Sequence, residues 1–97
     1  MTVTFNISND EVRLVGNLTR DNVASISAKQ VKEIIKKDVL KVNLSGIDKV
    51  DTSGLAWLFL LLEKAKKQSC QLVLIEMPED MIKLANLSRV ESLLPTV

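Results

Sequence analysis

Two patterns of apolar spacing alternate along the chain and predict a mixed α/β fold. Polar and apolar residues alternate over Val3–Ile7 and Glu11–Val15, on either side of the turn-forming residues Ser8-Asn9-Asp10. This arrangement predicts an antiparallel hairpin. A further strand is predicted at 40–44, where apolar residues alternate, and another at 72–75, a continuous apolar run typical of a strand covered on both faces.

Segments with helical spacing separate the predicted strands after the hairpin. The resulting order is ββαβαβα, which predicts one α/β domain over residues 1–97. It has a mixed sheet of about four strands, an antiparallel hairpin followed by parallel βαβ units, with helices packed on the sheet. The predicted helices are Asp21–Lys37, capped by Thr19 or Asp21, then Leu55–Gln68, and then one that begins at Pro78-Glu79-Asp80, followed by a short helical turn within Arg89–Leu94.

Composition excludes several classes of function. The 97 residues include 13 Lys and Arg against 12 Asp and Glu, so a net charge of +1 creates no strong field for nucleic acid. There is no His and only one Cys, Cys70, which excludes a Cys/His zinc cluster and an internal disulfide, and no cofactor is predicted. The longest apolar run, Leu55–Leu62, is far shorter than the roughly 20 residues of a membrane span, and the first residues do not resemble a signal peptide. We therefore expect a cytoplasmic domain.

The most unusual segment delivers the chain from a predicted loop, Ser45–Asp51, to the start of the second long helix. Asp51, Thr52 and Ser53 all favour capping positions, and Gly54 permits close approach of another backbone or a ligand. One interpretation is a capped helix with no further role. The other is a functional site, since free amides and the helix dipole would stabilise a phosphate on Thr52 or Ser53.

Enzymatic interpretations of this segment fail on context. An aspartic protease has Asp-Thr-Gly in an all-β chain, whereas here Ser53 intervenes before Gly54 and a helix follows. A Ser or Thr nucleophile has no His to activate it, and no Gly-rich loop ends in Gly-Lys-Ser/Thr. We therefore expect no catalytic activity.

The segment Val50-Asp51-Thr52-Ser53-Gly54-Leu55, in this position of the fold, resembles the STAS domain family, named after sulfate transporters and anti-sigma-factor antagonists. The resemblance covers essentially the whole chain and includes Gly16-Asn17-Leu18 and Val42-Asn43-Leu44-Ser45. In that family the residue after the loop Asp is the phosphoacceptor of sigma-factor antagonists. The resemblance thus implies that Thr52 could be phosphorylated, adding about −1.5 to −2 charge that would oppose partner binding.

Two branches of the family are open. The compact ending Leu84–Pro95, without the longer terminal helix usual in sigma-factor antagonists, resembles MlaB proteins, the STAS subunits of Mla-type phospholipid ABC transporters. That resemblance implies a protein partner, the cytoplasmic ATPase subunit, and a position at the inner membrane reached only through the transporter complex. The alternative is an anti-sigma-factor antagonist, whose partner is an anti-sigma factor kinase that phosphorylates Thr52.

The second long helix is apolar all round for two turns, so either its own domain covers both sides or a partner covers one of them. Leu55, Leu58, Phe59 and Leu62 form the stripe predicted to pack on the sheet. The opposite side is either covered by the flanking helices or exposed for docking. Our hypothesis is that Trp57, Leu60 and Leu61 continue the surface begun by Asp51, Thr52, Ser53 and Gly54, with Trp57 as the anchor.

Overall fold

A computed structural model describes residues 3–8, 10–36 and 38–95 of the chain. Asn9, in the predicted hairpin turn, and Lys37, at the predicted end of the first helix, lie outside the described residues. The strands are β1 (Thr4–Ser8), β2 (Glu11–Leu18), β3 (Val39–Val50) and β4 (Gln71–Ile75); the helices are α1 (Arg20–Val23), α2 (Ala28–Ile34), α3 (Thr52–Lys67) and α4 (Glu79–Leu87), followed by a 3-10 turn at Glu91–Leu93.

The four strands form one sheet in the order β1-β2-β3-β4. β1 pairs with β2 in antiparallel fashion, and β2–β3 and β3–β4 are parallel pairs. Cross-strand neighbours such as Val12, Val42 and Leu74 stand in one row across the three parallel strands. The predicted mixed sheet, an antiparallel hairpin followed by parallel βαβ units, is confirmed.

Only one face of the sheet is closed by the hydrophobic core. Buried positions alternate with exposed ones along β2, where Val12 and Leu14 are buried and Arg13 between them is exposed. In β4, Leu72 and Leu74 are buried while Val73 and Ile75 are only half-buried. The prediction that this strand is covered on both faces is therefore wrong, because the helices pack mainly on one side.

The third strand is longer than the sequence predicts. The segment expected to be the loop Ser45–Asp51 continues β3 as far as Val50. Pairing explains the difference, because Gly46 and Ile47 lie beside Val15 and Gly16 of β2, and Val50 lies beside Leu18. The polar residues that suggested a loop are tolerated because Ser45, Asp48 and Lys49 point to solvent.

The first predicted helix, Asp21–Lys37, is divided into α1 and α2. Thr19 occupies the N-cap position of α1 but its side chain makes no capping hydrogen bond. The Ser25 hydroxyl donates to the carbonyl of Asn22 at 2.6 Å, and Ser27 and Gln30 form a capping box that starts a new helix. Side-chain hydrogen bonds of this kind compete with helix continuation, so the apolar spacing alone overestimated the helix.

Candidate functional site

The Asp51 carboxylate connects the starts of two helices. Its Oδ1 accepts a hydrogen bond from the Gly54 amide at 2.9 Å, the N-cap contact of α3. Its Oδ2 accepts from the Arg20 amide at 2.9 Å, at the first residue of α1. One side chain thus satisfies amides of two helix N-termini that are far apart in sequence.

These amides lower the pKa of Asp51 below its ordinary value. The Arg20 N–H makes the largest contribution, partial burial opposes it, and the amides of Gly54 and Ser53 lower the pKa further. Hydrogen bonds donated to a carboxylate favour its charged form. The junction between β3 and α3 is therefore held by a carboxylate whose charged form is favoured in the folded protein.

Replacing Asp51 with Asn should destabilise the protein by about 1–2 kcal/mol at pH 7, because an amide cannot accept from both N–H groups. The pKa of Asp51 is lower in the folded than in the unfolded protein. Its stabilisation is therefore complete above the ordinary pKa of about 3.9 and is lost as the pH falls through the folded value. Urea unfolding at pH 7 and at pH 2 measures the difference between wild type and variant, which should shrink at the lower pH.

The matched control is Asp48→Asn, because Asp48 is an exposed carboxylate near the end of β3. This variant should unfold within about 0.5 kcal/mol of the wild type at both pH values. A destabilisation by Asp51→Asn that is the same at pH 7 and pH 2 would contradict the assigned role of the charge.

Gly54 is buried where α3 crosses the end of β2. A Cβ atom built on Gly54 would overlap the carbonyl oxygen of Leu18, and that same oxygen accepts a hydrogen bond from the Asp51 amide at 3.3 Å. The absence of a side chain is thus required for backbone packing. The close approach predicted for Gly54 is made by the backbone of its own chain.

Three residues of α3 form a stripe exposed to solvent. Thr52 is the first residue of the helix, and Ala56 and Leu60 follow at four-residue intervals. All three are exposed, and Leu60 has an exposed fraction of 55%. With a rise of about 1.5 Å per residue, this stripe is about 12 Å long and presents one hydroxyl group beside apolar side-chain atoms.

Trp57 and Leu61 do not belong to this exposed stripe. Leu61 is fully buried and Trp57 is 8% exposed, so the prediction that both extend the surface is wrong. The ring of Trp57 stacks on Phe5 of β1 with centroids 6.4 Å apart. The flanking structure covers both residues, as the alternative interpretation of this helix proposed, and only Leu60 of the three is available at the surface.

The buried stripe of α3 is rotated relative to the predicted one. Phe59 and Leu62 are only half-buried, although Leu55 and Leu58 are buried as expected. A helix that lies on a sheet and has no other neighbour is covered on one side. The α1–α2 segment covers a second side of α3. The buried residues of α3 are Gly54, Leu55, Trp57, Leu58, Leu61 and Ala65.

Residues near Arg20 belong to the site but were not identified from the sequence. The Arg20 backbone N–H and the Leu18 carbonyl both contact the Asp51–Gly54 segment, and a backbone contact leaves no signature in residue type. Asn22 carries a weak sequence signal of a role at this site, because it is a buried polar residue whose Nδ2 donates to the Asn17 carbonyl at 2.8 Å.

Cys70 lies away from this site and is buried. Burial raises the pKa of its thiol, with a contribution from Asp38.

Two further properties describe the same part of the chain. Within residues 3–8, 10–36 and 38–95, no helix is long and apolar enough to cross a membrane. Over those ranges, no group of His, Cys, Asp and Glu side chains is arranged to hold a metal ion.

The mixed sheet, Asp51 at the N-cap of α3 and the exposed Thr52 after it agree with the resemblance to STAS domains drawn from the sequence. The family model described as Mlab, STAS domain, matches residues 1–95, and the chain belongs to this family. No curated protein sequence matches the chain.

Solved structures of anti-sigma factor antagonists share the fold. SpoIIAA in its unphosphorylated form matches with a TM-score of 0.71 and 16% identity over 98% of this chain and 87% of that one. A candidate anti-sigma factor antagonist from Thermotoga maritima matches with a TM-score of 0.74 and 17% identity, over 97% of this chain and 84% of that one. An anti-sigma factor antagonist from Mycobacterium paratuberculosis matches with a TM-score of 0.64 and 15% identity, over 97% of this chain and 82% of that one.

Proposed function

We propose that this STAS domain is the non-catalytic subunit of a bacterial Mla-type phospholipid ABC transporter. In this role it binds and supports the cytoplasmic ATPase subunit and thereby helps to maintain outer-membrane lipid asymmetry. It reaches the inner membrane through that complex. The observation that carries the proposal is the match of the Mlab family model over residues 1–95, since it distinguishes this chain from STAS domains in general.

The proposed docking surface is the exposed stripe of Thr52, Ala56 and Leu60. These side chains stand on α3, whose start is fixed by the two hydrogen bonds that the Asp51 carboxylate accepts. Leu60 is a large apolar side chain with more than half of its surface exposed, and burying such a side chain contributes about 1 kcal/mol or more to association. A small residue, Ala56, between Thr52 and Leu60 permits a partner helix to approach closely.

The second candidate function is an anti-sigma-factor antagonist controlled by a kinase. The fold shared with SpoIIAA and its relatives favours this candidate, as does the exposed hydroxyl of Thr52 at a helix N-terminus. A phosphate there would place about −1.5 to −2 charge at the Thr52 end of the docking surface. The two candidates use the same surface and differ in the partner.

The test is binding of the purified chain to the purified ATPase subunit of the organism's own phospholipid transporter, measured by calorimetry. We expect a complex with the wild type. Leu60→Asp should weaken it at least about tenfold, because a charge would be buried where an apolar side chain was. Thr52→Glu should also weaken it, while an acid in the first turn of α3 keeps the helix stable.

The matched control is Leu87→Asp, which makes the same change at a leucine that is 83% exposed on α4. This variant should bind as the wild type does.

The purified anti-sigma factor kinase, with ATP, is the second probe. Binding of the kinase and transfer of phosphate to Thr52, with no binding of the ATPase subunit, would establish the alternative and exclude the transporter role.

A further inference from the structure

A groove runs between α2 and α3 beside the exposed stripe. It consists of two adjoining cavities of about 180 Å³ and 270 Å³. The same three residues, Ala28, Val31 and Lys64, line both cavities, so the two form one continuous groove. Along α3 the groove extends from Trp57 to Gln68, about 16 Å at a rise of about 1.5 Å per residue.

The floor of the groove is apolar and its rim is basic. Val31 and Ile35 of the α2 segment and Leu61 of α3 are buried side chains that form part of the floor. The charged residues along the rim are Lys32, Lys64 and Lys67, all exposed. No Asp or Glu lines either cavity within the part of the chain that the structure describes.

The charges on this rim are incompletely neutralised by the protein itself. The Nζ atom of Lys67 lies 3.7 Å from Oε1 of Glu63, which is one helical turn earlier, and both side chains are exposed. Lys32 and Lys64 form no salt bridge with any described residue. Lysines in the last turn of a helix stabilise its C-terminus, but that effect does not require lysines of two different helices to face one groove.

Position connects the groove with the proposed docking surface. The exposed stripe continues along α3 at four-residue intervals from Thr52, Ala56 and Leu60 to Lys64. Leu60 and Lys64 both line the smaller cavity. A partner that covers Leu60 therefore reaches the rim lysines with its next contacts. Net charge does not reveal this feature, because the whole chain carries only +1.

We propose that the groove between α2 and α3 binds an acidic amphipathic segment of the ATPase subunit. Its apolar side chains pack on Ile26 and Leu60, which line the smaller cavity and are not buried, and its carboxylates meet Lys32, Lys64 and Lys67. The inference rests on the proposed function and adds the chemistry of the partner segment. An apolar core with a charged rim is the usual anatomy of a specific protein interface, and the charges accelerate association and select the partner.

The test is the triple charge reversal Lys32→Glu, Lys64→Glu and Lys67→Glu, with the purified ATPase subunit as probe. At 50 mM salt the variant should bind at least about tenfold more weakly, because three exposed attractions become repulsions. The affinity of the wild type should fall on raising the salt to 300 mM, since exposed charges are screened. The variant should not show this fall.

The control reverses the same number of charges on other surfaces, at Lys49, Lys66 and Lys83. Lys66 lies in the last turn of α3, as Lys64 and Lys67 do, but lines a different cavity. The control variant should bind with wild-type affinity. Circular dichroism and thermal unfolding establish that both triple variants are folded.

The outcomes separate this inference from the proposed function. If the wild type and the groove variant bind the ATPase subunit equally well, the groove is excluded while the transporter role stands. If the wild type does not bind the ATPase subunit at all, both are overturned.

Vesicles of three parts phosphatidylcholine and one part phosphatidylglycerol are the last probe. If the groove variant loses vesicle binding while its binding to the ATPase subunit is unchanged, the groove is assigned to anionic lipid and the inference is overturned.

Discussion

Replacing Gly54 with Ala is expected to destabilise the protein by about 3 kcal/mol or more, the upper range for inserting one carbon into a packed site. The added Cβ would overlap the carbonyl oxygen of Leu18, which is backbone and cannot rotate away. The carbonyl also accepts the Asp51 amide, so any shift of β2 weakens the anchor of α3 as well. In an exposed helix the same substitution would be stabilising by about 1 kcal/mol, so the structure predicts the opposite sign from helix propensity.

Urea unfolding followed by circular dichroism measures this effect. Ser53→Ala is the matched control, because it lies one residue away in the same helical turn and is only half-buried. Its free energy of unfolding should stay within about 0.5 kcal/mol of the wild type. A Gly54→Ala protein as stable as the wild type would show that α3 does not approach Leu18 as closely as described.

Replacing Trp57 with Ala is expected to cost about 3–5 kcal/mol of folding stability, as for other large core aromatics. Trp57 is 8% exposed, stacks on Phe5 and lines the smaller cavity of the groove between α2 and α3. Its removal leaves a cavity between the first strand and α3 and separates elements that are distant in sequence. The loss should therefore appear in global unfolding.

Leu60→Ala is the control for the same helix, three residues further along. Leu60 is 55% exposed, so its truncation should change the free energy of unfolding by no more than about 0.5 kcal/mol while weakening the ATPase complex. The two variants thus separate stability from binding within one turn of α3. If Trp57→Ala were fully stable and only binding were lost, Trp57 would be the surface anchor that the sequence suggested.

The contrast between Trp57 and Leu60 shows the limit of sequence reasoning about α3. A helix that is apolar all round has two sides to cover, and its spacing does not say which neighbour covers the second. The division of the predicted first helix into α1 and α2 supplies that cover, because Ile26 and Val31 lie beside Trp57 in the smaller cavity. The break depends on hydrogen bonds of Ser25 and Ser27, which apolar periodicity does not register.

The cap of α3 was more accessible to prediction because its chemistry is local. The sequence indicated three capping residues, Asp51, Thr52 and Ser53, and in the structure Asp51 is the N-cap and accepts from the Gly54 amide. Its second hydrogen bond, to the Arg20 amide, crosses from another part of the chain and involves no side chain of Arg20. The local half of the site was therefore predictable and the tertiary half was not.

By itself the sequence determined the order of the four strands, the mixed sheet, a capping residue before α3 and the resemblance to STAS domains. These features follow from period-two and helical spacing, capping residues and a motif that spans a few consecutive positions. Tertiary structure alone decided the length of β3, the break between α1 and α2, and which apolar residues of α3 remain at the surface. Such outcomes depend on contacts between residues distant along the chain, where backbone atoms and the shape of the neighbouring element decide burial.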